Sequence, residues 1–226
     1  MSQSGSKQKI YFTLAVVLVM VALIFFIHTL KGLKKNDFGV TSPQQYPRTK
    51  GPSQAAVKIE EFTDFLCPAC AVGSRVLNEY MKKYPDDMRL VYHYYPLYPN
   101  SLPSAVYAEC AGAQGKFWEY HDRLISQVKT IHRAKGDAVF RYLLKIAEDI
   151  DLDMEQIRQC VADPKVEKVI IKEKELGNNM GVRATPTYFI NGKRVVGHIA
   201  LKEEFKKYFK ESASAAQEIP KGSQAN

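Results

Sequence analysis

The 226-residue chain is short of cysteine, with four in all: Cys67, Cys70, Cys110 and Cys160. No second close pair of Cys or His accompanies Cys67 and Cys70. A structural zinc site needs four such ligands, which argues against a zinc ribbon or finger. The chain also lacks a basic face. Its formal charge is +8, but residues 1–50 hold seven Lys or Arg against one acid, Asp37. The remaining residues hold 25 basic and 23 acidic side chains. The excess therefore flanks an N-terminal apolar run, and nucleic-acid binding loses its main compositional support. Behind that run there is no small-x-small cleavage pattern either, only His28-Thr29-Leu30-Lys31-Gly32-Leu33-Lys34, which argues against a cleaved signal peptide.

What is present centres on Phe65-Leu66-Cys67-Pro68-Ala69-Cys70. The stretch follows an alternating run, Val57 to Phe62, that reads as a strand. It opens a segment, Ala71 to Tyr84, with Val76, Leu77, Tyr80, Met81 and Tyr84 at helical spacing. Two thiols thus sit at the positive end of a helix dipole, which favours the reactive thiolate. Pro68 suits the first helical turn. Cys-x-x-Cys beside a strand–helix unit reads as a thioredoxin-like redox motif. In the strand, Val57, Ile59 and Glu61 share one face. A carboxyl among apolar neighbours has a raised pKa and can shuttle protons. If the strand ends early, Glu61 is simply solvated, and the strand face alone leaves both readings open.

A second strand is expected at 88–95, where His93 among tyrosines reads as a packed or surface residue. From Pro103 to about Gly181 the spacing is helical, in segments 104–114, 116–128, 137–150, 153–161 and 165–180. Cys110 and Cys160 each fall on an apolar stripe of this insertion. They are either two buried thiols or, outside the cytoplasm, a disulfide. Then comes Thr185-Pro186, a short strand at 187–190, the hairpin dipeptide Asn191-Gly192, and a return to Gly197. About 5–6% of X–Pro bonds are cis, so the residues alone leave Thr185–Pro186 trans. Leu201 to Glu211 closes as a helix, and 212–226 reads as a disordered tail.

Residues 10–30 carry no charge. As a helix they rise about 30 Å, the thickness of a hydrocarbon core. Residues 1–31 are therefore expected to be a cytoplasmic tip and a transmembrane signal anchor, with the lipid bilayer as partner of 10–30. Residues 32–55, with Pro43, Pro47 and Pro52, read as a linker. The lysines after the run outnumber those before it and lean towards a cytoplasmic domain. Long domains translocate largely regardless of such flanks, and thiol oxidation belongs outside. The domain is expected in the periplasm or outside the cell.

The order of these motifs resembles the DsbA-like thiol–disulfide oxidoreductases, a thioredoxin-fold family, over about residues 56–211. Three blocks carry the resemblance: Glu61 to Cys70, Gly115-Lys116-Phe117-Trp118-Glu119-Tyr120-His121-Asp122, and Gly181 to Gly192. It implies an α/β thioredoxin fold with a helical insertion at about 103–181, preceded here by one N-terminal transmembrane helix. It implies Cys67 and Cys70 as the redox pair, Pro186 as a cis-proline beside them, and Thr185 as the residue whose backbone pairs with an extended substrate. It also implies Glu61 as a buried acid near the second cysteine, and a structural Cys110–Cys160 disulfide. No cofactor and no metal are implied. The partners would be reduced or unfolded exported proteins and a membrane redox protein that resets the cysteines. The chain departs from the family's strongest oxidants, which have His before the second cysteine, by carrying Ala69. That implies a milder oxidant. Oxidation of exported proteins is the favoured direction, with reduction or isomerisation as the alternative. Readings from other classes are a Cu(I) carrier using Cys67 and Cys70 with His198 as a third ligand, and a non-catalytic tethered binding domain.

Overall fold

The computed structural model describes residues 18–23 and 48–215. Residues 18–23 are helical and exposed, and belong to a unit, Met1–Gly39, distinct from the one that begins at Val40. The rest of the anchor expected at 10–30 lies outside the described residues. Among the described residues, no helix is long and apolar enough to cross a membrane.

The larger unit is laid out on five strands. These are β1 (Thr49–Lys50), β2 (Val57–Thr63), β3 (Met88–Tyr94), β4 (Thr187–Ile190) and β5 (Lys193–Val196), in the sheet order β1-β3-β2-β4-β5. Alternation in β2 buries Val57, Ile59 and Glu61 and exposes Lys58 and Glu60. β2 runs parallel to β3 and antiparallel to β4. A parallel pair needs a crossover, supplied by α1 (Pro68–Lys83). The β4–β5 hairpin turns on Asn191 (φ 49°) and Gly192 (φ 83°), the pair of positive φ values that a two-residue turn between twisted strands requires. The Asn191 side chain accepts from Lys58 N at 2.8 Å and donates to Ala56 O at 3.0 Å, fastening the hairpin to β2.

Beneath one face, Val57, Ile59, Leu77, Leu90, Tyr188 and Ile190 pack with Phe205 and Phe209 of α8 (His198–Ala215). Phe205 lies 4.8 Å from the Tyr80 ring, and Phe209 stacks on Tyr84 at 4.0 Å. Each fully buried ring of this size contributes about 1.5–3 kcal/mol. Gly73 lets α1 pack directly over Tyr188: a Cβ there would lie 2.0 Å from the Tyr188 hydroxyl oxygen.

Between β3 and β4 lie α2 (Ser101–Ala113), α3 (Phe117–Ser126), α4 (Val128–Arg133), α5 (Asp137–Asp149), α6 (Met154–Val161) and α7 (Pro164–Asn179). Asp153 caps α6 by accepting from the backbone N–H of Glu155 and Gln156. Asp163 caps α7 ahead of Pro164. Cys110 in α2 is bonded to Cys160 in α6, which decides between the two readings of these residues. The bridge closes a loop of 50 residues and contributes about 2–4 kcal/mol.

Two expected boundaries need correction. The linker does not extend to residue 55. Thr49 and Lys50 pair with Val91 and Leu90, and Arg48 is 5% exposed, bound to Glu109 and Glu173. A two-residue strand and one buried cation leave no periodicity to read. The closing helix runs to Ala215, not 211, so the expected tail overlaps it by four residues; 216–226 lie outside the described residues.

Candidate active site

The last turn of β2 runs into Asp64, which is 2% exposed. Its Oδ1 accepts from Leu66 N at 2.8 Å and from Ser101 Oγ at 2.6 Å, and its Oδ2 from Leu97 N at 2.6 Å. One carboxyl thus shapes the turn before the cysteines and fastens it to the loop at 96–101. Burial raises its pKa against these bonds. The sequence reading passed over Asp64. Its signal was an Asp at a strand end, where such residues build side-chain turns with the backbone two residues on.

Cys67 stands at the N-cap of α1 with an extended backbone and no side-chain cap bond, and Pro68 follows at the first helical position. The Cys67 pKa is lowered to about 6. The largest cause is the thiol hydrogen bond from Cys70. Burial opposes it, and the Thr185 side chain and the backbone N–H groups of Cys70 and Ala69 add to it. The helix end expected from the sequence is thus present, but ranks behind both the neighbouring thiol and the Thr185 side chain. Cys70 is pushed well above its ordinary value, by burial first and then by Cys67. Cys67 keeps 4% of its surface and Cys70 none, and both are free thiols. The partition is the one exchange needs: one sulfur is held as an anion at neutral pH, the other as a thiol.

The Thr185–Pro186 peptide is cis. Thr185 O lies 3.5 Å from Cys67 Sγ. Pro186 is buried, and its carbonyl accepts from Gly197 N at 2.8 Å. Glu61 is 2% exposed, and burial raises its pKa to about 8 against a hydrogen bond from Thr63 and the charges of Lys50 and His93. In register it lies between Tyr92 of β3 and Tyr188 of β4. Cross-strand partners point the same way, so an acid and two phenols form a row under α1. Neither phenol oxygen has a hydrogen-bond partner among the described residues. Both phenols are raised by burial first and also feel Glu61 and Cys70.

The loop at 96–101 brings in Tyr98, which the sequence reading missed. Its pKa is raised by burial first, then by the charge of the nearby Cys67 sulfur. Only the tertiary fold connects it to the cysteines. His93 is packed, stacked on Phe62 at 4.6 Å and bonded to Glu173 at 2.6 Å. Among the described residues, no three His, Cys, Asp or Glu side chains come together to hold a metal ion, His198 with the two cysteines included.

The family described as Thioredoxin matches residues 44–211. The chain belongs to that family. Within it, the fold is the DsbA-like form, with helices inserted between β3 and β4. Wolbachia pipientis α-DsbA1 is similar with a TM-score of 0.66 and 21% identity, covering 79% of this chain and 96% of that one. A thioredoxin-like oxidoreductase from Silicibacter pomeroyi DSS-3 has a TM-score of 0.59 and 26% identity, covering 72% and 91%. Among curated proteins, the Na(+)/H(+) antiporter NhaA 3 of Salinispora tropica is 33% identical over 148 residues, 64% of this chain and 22% of that protein. The chain spans about a fifth of the length of the curated relatives it matches.

Proposed function

We propose that the protein is a membrane-anchored thiol–disulfide oxidoreductase that introduces disulfides into exported proteins. The observation that carries this is the opposed acidity of Cys67 and Cys70 beside cis-Pro186. In the oxidised form the two sulfurs are bonded. A substrate thiolate attacks Cys67 Sγ, a substrate–Cys67 bond forms, and Cys70 departs. Cys70 must take up a proton to leave, because its thiolate is disfavoured. Glu61, neutral below about pH 8, is the candidate donor of that proton. A second substrate thiolate then attacks the substrate sulfur and expels Cys67 as a thiolate. Two substrate thiols become one disulfide, and two electrons pass to the enzyme. No cofactor carries them. A quinone-linked membrane protein removes them and restores the Cys67–Cys70 bond.

The uncharged run 10–30 supports the anchor, and the Cys110–Cys160 disulfide supports a domain in the periplasm or outside the cell. Ala69 before Cys70 favours a mild oxidant and keeps reduction or isomerisation as the second reading. Mixing the oxidised protein with a reduced, unfolded substrate separates them. Disulfides are expected to appear in proportion to enzyme, and not with Cys67→Ser. Failure to introduce any, with rescue of scrambled substrate by the reduced form, reverses the direction. Activity retained by Cys67→Ser removes the reading altogether.

The thiol acidities also set how the reduction potential depends on pH. Each proton taken up on reduction changes the equilibrium tenfold per pH unit, about 30 mV for two electrons. Below about pH 6 the reduced pair holds two protons and above it one. The slope is therefore expected to fall from about 60 to about 30 mV per unit, with a break near pH 6 that thiol-buffer titration reads directly.

A further inference from the structure

Leu66, the residue before Cys67, and residues of the helical insertion line an open cavity of about 590 Å³. Leu66 and Tyr98 wall it at the sulfur end, Asn100 lies between, and His132, Arg133 and Lys135 form the far rim. Among the described residues, no acidic one lines it. Its two ends are fastened together. Asn100 Nδ2 donates to Ile131 O at 3.0 Å and Ala134 O at 2.9 Å, holding the chain that carries the basic rim. The Tyr98 ring meets His132 edge-on at 4.8 Å. Tyr98 N and Asp64 both bond Ser101 Oγ, which ties the same loop to the turn before Cys67. Arg133 and Lys135 are exposed, and neither is in an ion pair with a described residue. A helix C-terminus attracts cations by itself, so His132 and Arg133 at the end of α4 need no ligand. Lys135 lies beyond the helix, and the tyrosine shared between rim and sulfur is not explained by capping.

We propose that this cavity is a substrate subsite that receives an Asp or Glu side chain close in sequence to the reacting cysteine, so that exchange at Cys67 favours cysteines in acidic segments. The proposal rests on the disulfide-exchange reading of Cys67. Thr185 and Tyr98 flank the sulfur from two different loops. In this arrangement a substrate strand paired with Thr185 would turn a neighbouring side chain into the cavity, where Arg133 and Lys135 meet its carboxylate. Two solvent-exposed ion pairs supply a preference of about three- to tenfold.

The test is a single-turnover reaction of the oxidised full-length protein with three cysteine peptides, flanked by Glu, Gln or Lys. Each rate is divided by the same peptide's rate with a small aromatic disulfide, which removes differences in thiol reactivity. The Glu peptide is expected to lead the Lys peptide by about three- to tenfold at low salt, and the lead to shrink in 0.5 M salt as screening shortens to a few ångströms. In Arg133→Glu/Lys135→Glu the order within the variant is expected to invert. Equal normalised rates in the native protein, or a Glu preference unchanged in the double variant, overturn the subsite and leave the exchange reading standing. If no peptide forms a mixed disulfide with Cys67, both fall.

Discussion

Arg48→Leu is expected to cost the fold about 3–5 kcal/mol, the usual penalty for removing one partner of a buried ion pair. For a domain of this size that lowers the melting temperature by roughly 10 °C. The guanidinium is 5% exposed and lies over the Tyr94 ring at 4.6 Å. Its Nη1 donates to Glu109 Oε2 at 2.7 Å and its Nη2 to Glu173 Oε1 at 2.6 Å. Burial opposes its charge, but Tyr94 and the two carboxylates hold its pKa above the ordinary arginine value. Glu109 also accepts from Tyr94 Oη at 2.9 Å, and Glu173 from His93 at 2.6 Å. Leucine would leave two carboxylates in the interior with hydroxyl and imidazole partners only. Arg48→Lys keeps the charge and loses the two-pronged geometry, so a smaller loss is expected. The deficit should depend on pH. Burial works against the His93 cation, yet Glu173 and Glu60 raise its pKa above 6.5. A raised pKa adds stability fully below 6.5 and loses it as pH climbs through the folded value. The leucine variant should therefore be closest to the native protein in mildly acid buffer and fall behind through neutrality. Urea unfolding at pH 5.5 and pH 8 tests both points. Equal midpoints at pH 8 would mean the cluster does not hold β1 and the insertion to the sheet.

The same residue shows where reading the chain fails. The strand at 57–63, the thiols at the start of α1, Thr185-Pro186, the Asn191-Gly192 turn and the helical insertion are carried by local patterns: alternation, helical spacing and turn chemistry. Arg48 has no such pattern. Its partners lie 61 and 125 positions away, and it falls in a proline-bearing stretch that resembles a tether. Asp64 and Tyr98 are hidden for the same reason, since each acts on the turn at Cys67 only when two distant loops meet. Cys67 was legible, but the main cause of its acidity was not. The helix start is a local property, whereas the hydrogen bond from Cys70 depends on how the first turn folds. Glu61 is intermediate. Alternation placed it on the Val57 and Ile59 face, but whether that face is sealed depends on Tyr92 and Tyr188 in the flanking strands.

Sealing of that face leads to the second large expected effect, in Glu61→Gln. The folded protein keeps the Glu61 proton up to about pH 8, whereas its ordinary value is 4.5. A carboxyl whose pKa is raised on folding adds stability below 4.5 and loses it as pH rises to 8. At about 1.4 kcal/mol per unit, the native protein forfeits on the order of 5 kcal/mol across that window. The amide forfeits none. Glu61→Gln is thus expected to match the native protein near pH 4.5 and to exceed it by several kcal/mol at pH 9, as read from denaturant midpoints. The gain has a functional cost if Glu61 supplies the proton for Cys70. About nine-tenths of Glu61 is protonated at pH 7 for a value near 8, so the acid is present where exchange would operate. Its loss is expected to slow opening of the Cys67–Cys70 bond by about a hundredfold, the lower range for a positioned general acid. With rates expressed per substrate thiolate, the native protein should also slow above pH 8, while the variant shows no such inflection. A variant that is stabilised but equally fast would leave Glu61 as a buried strain without a role in the proton's path. A variant that is slowed but not stabilised would mean that the row Tyr92–Glu61–Tyr188 is open to water, and that the acid works from solvent rather than from beneath α1.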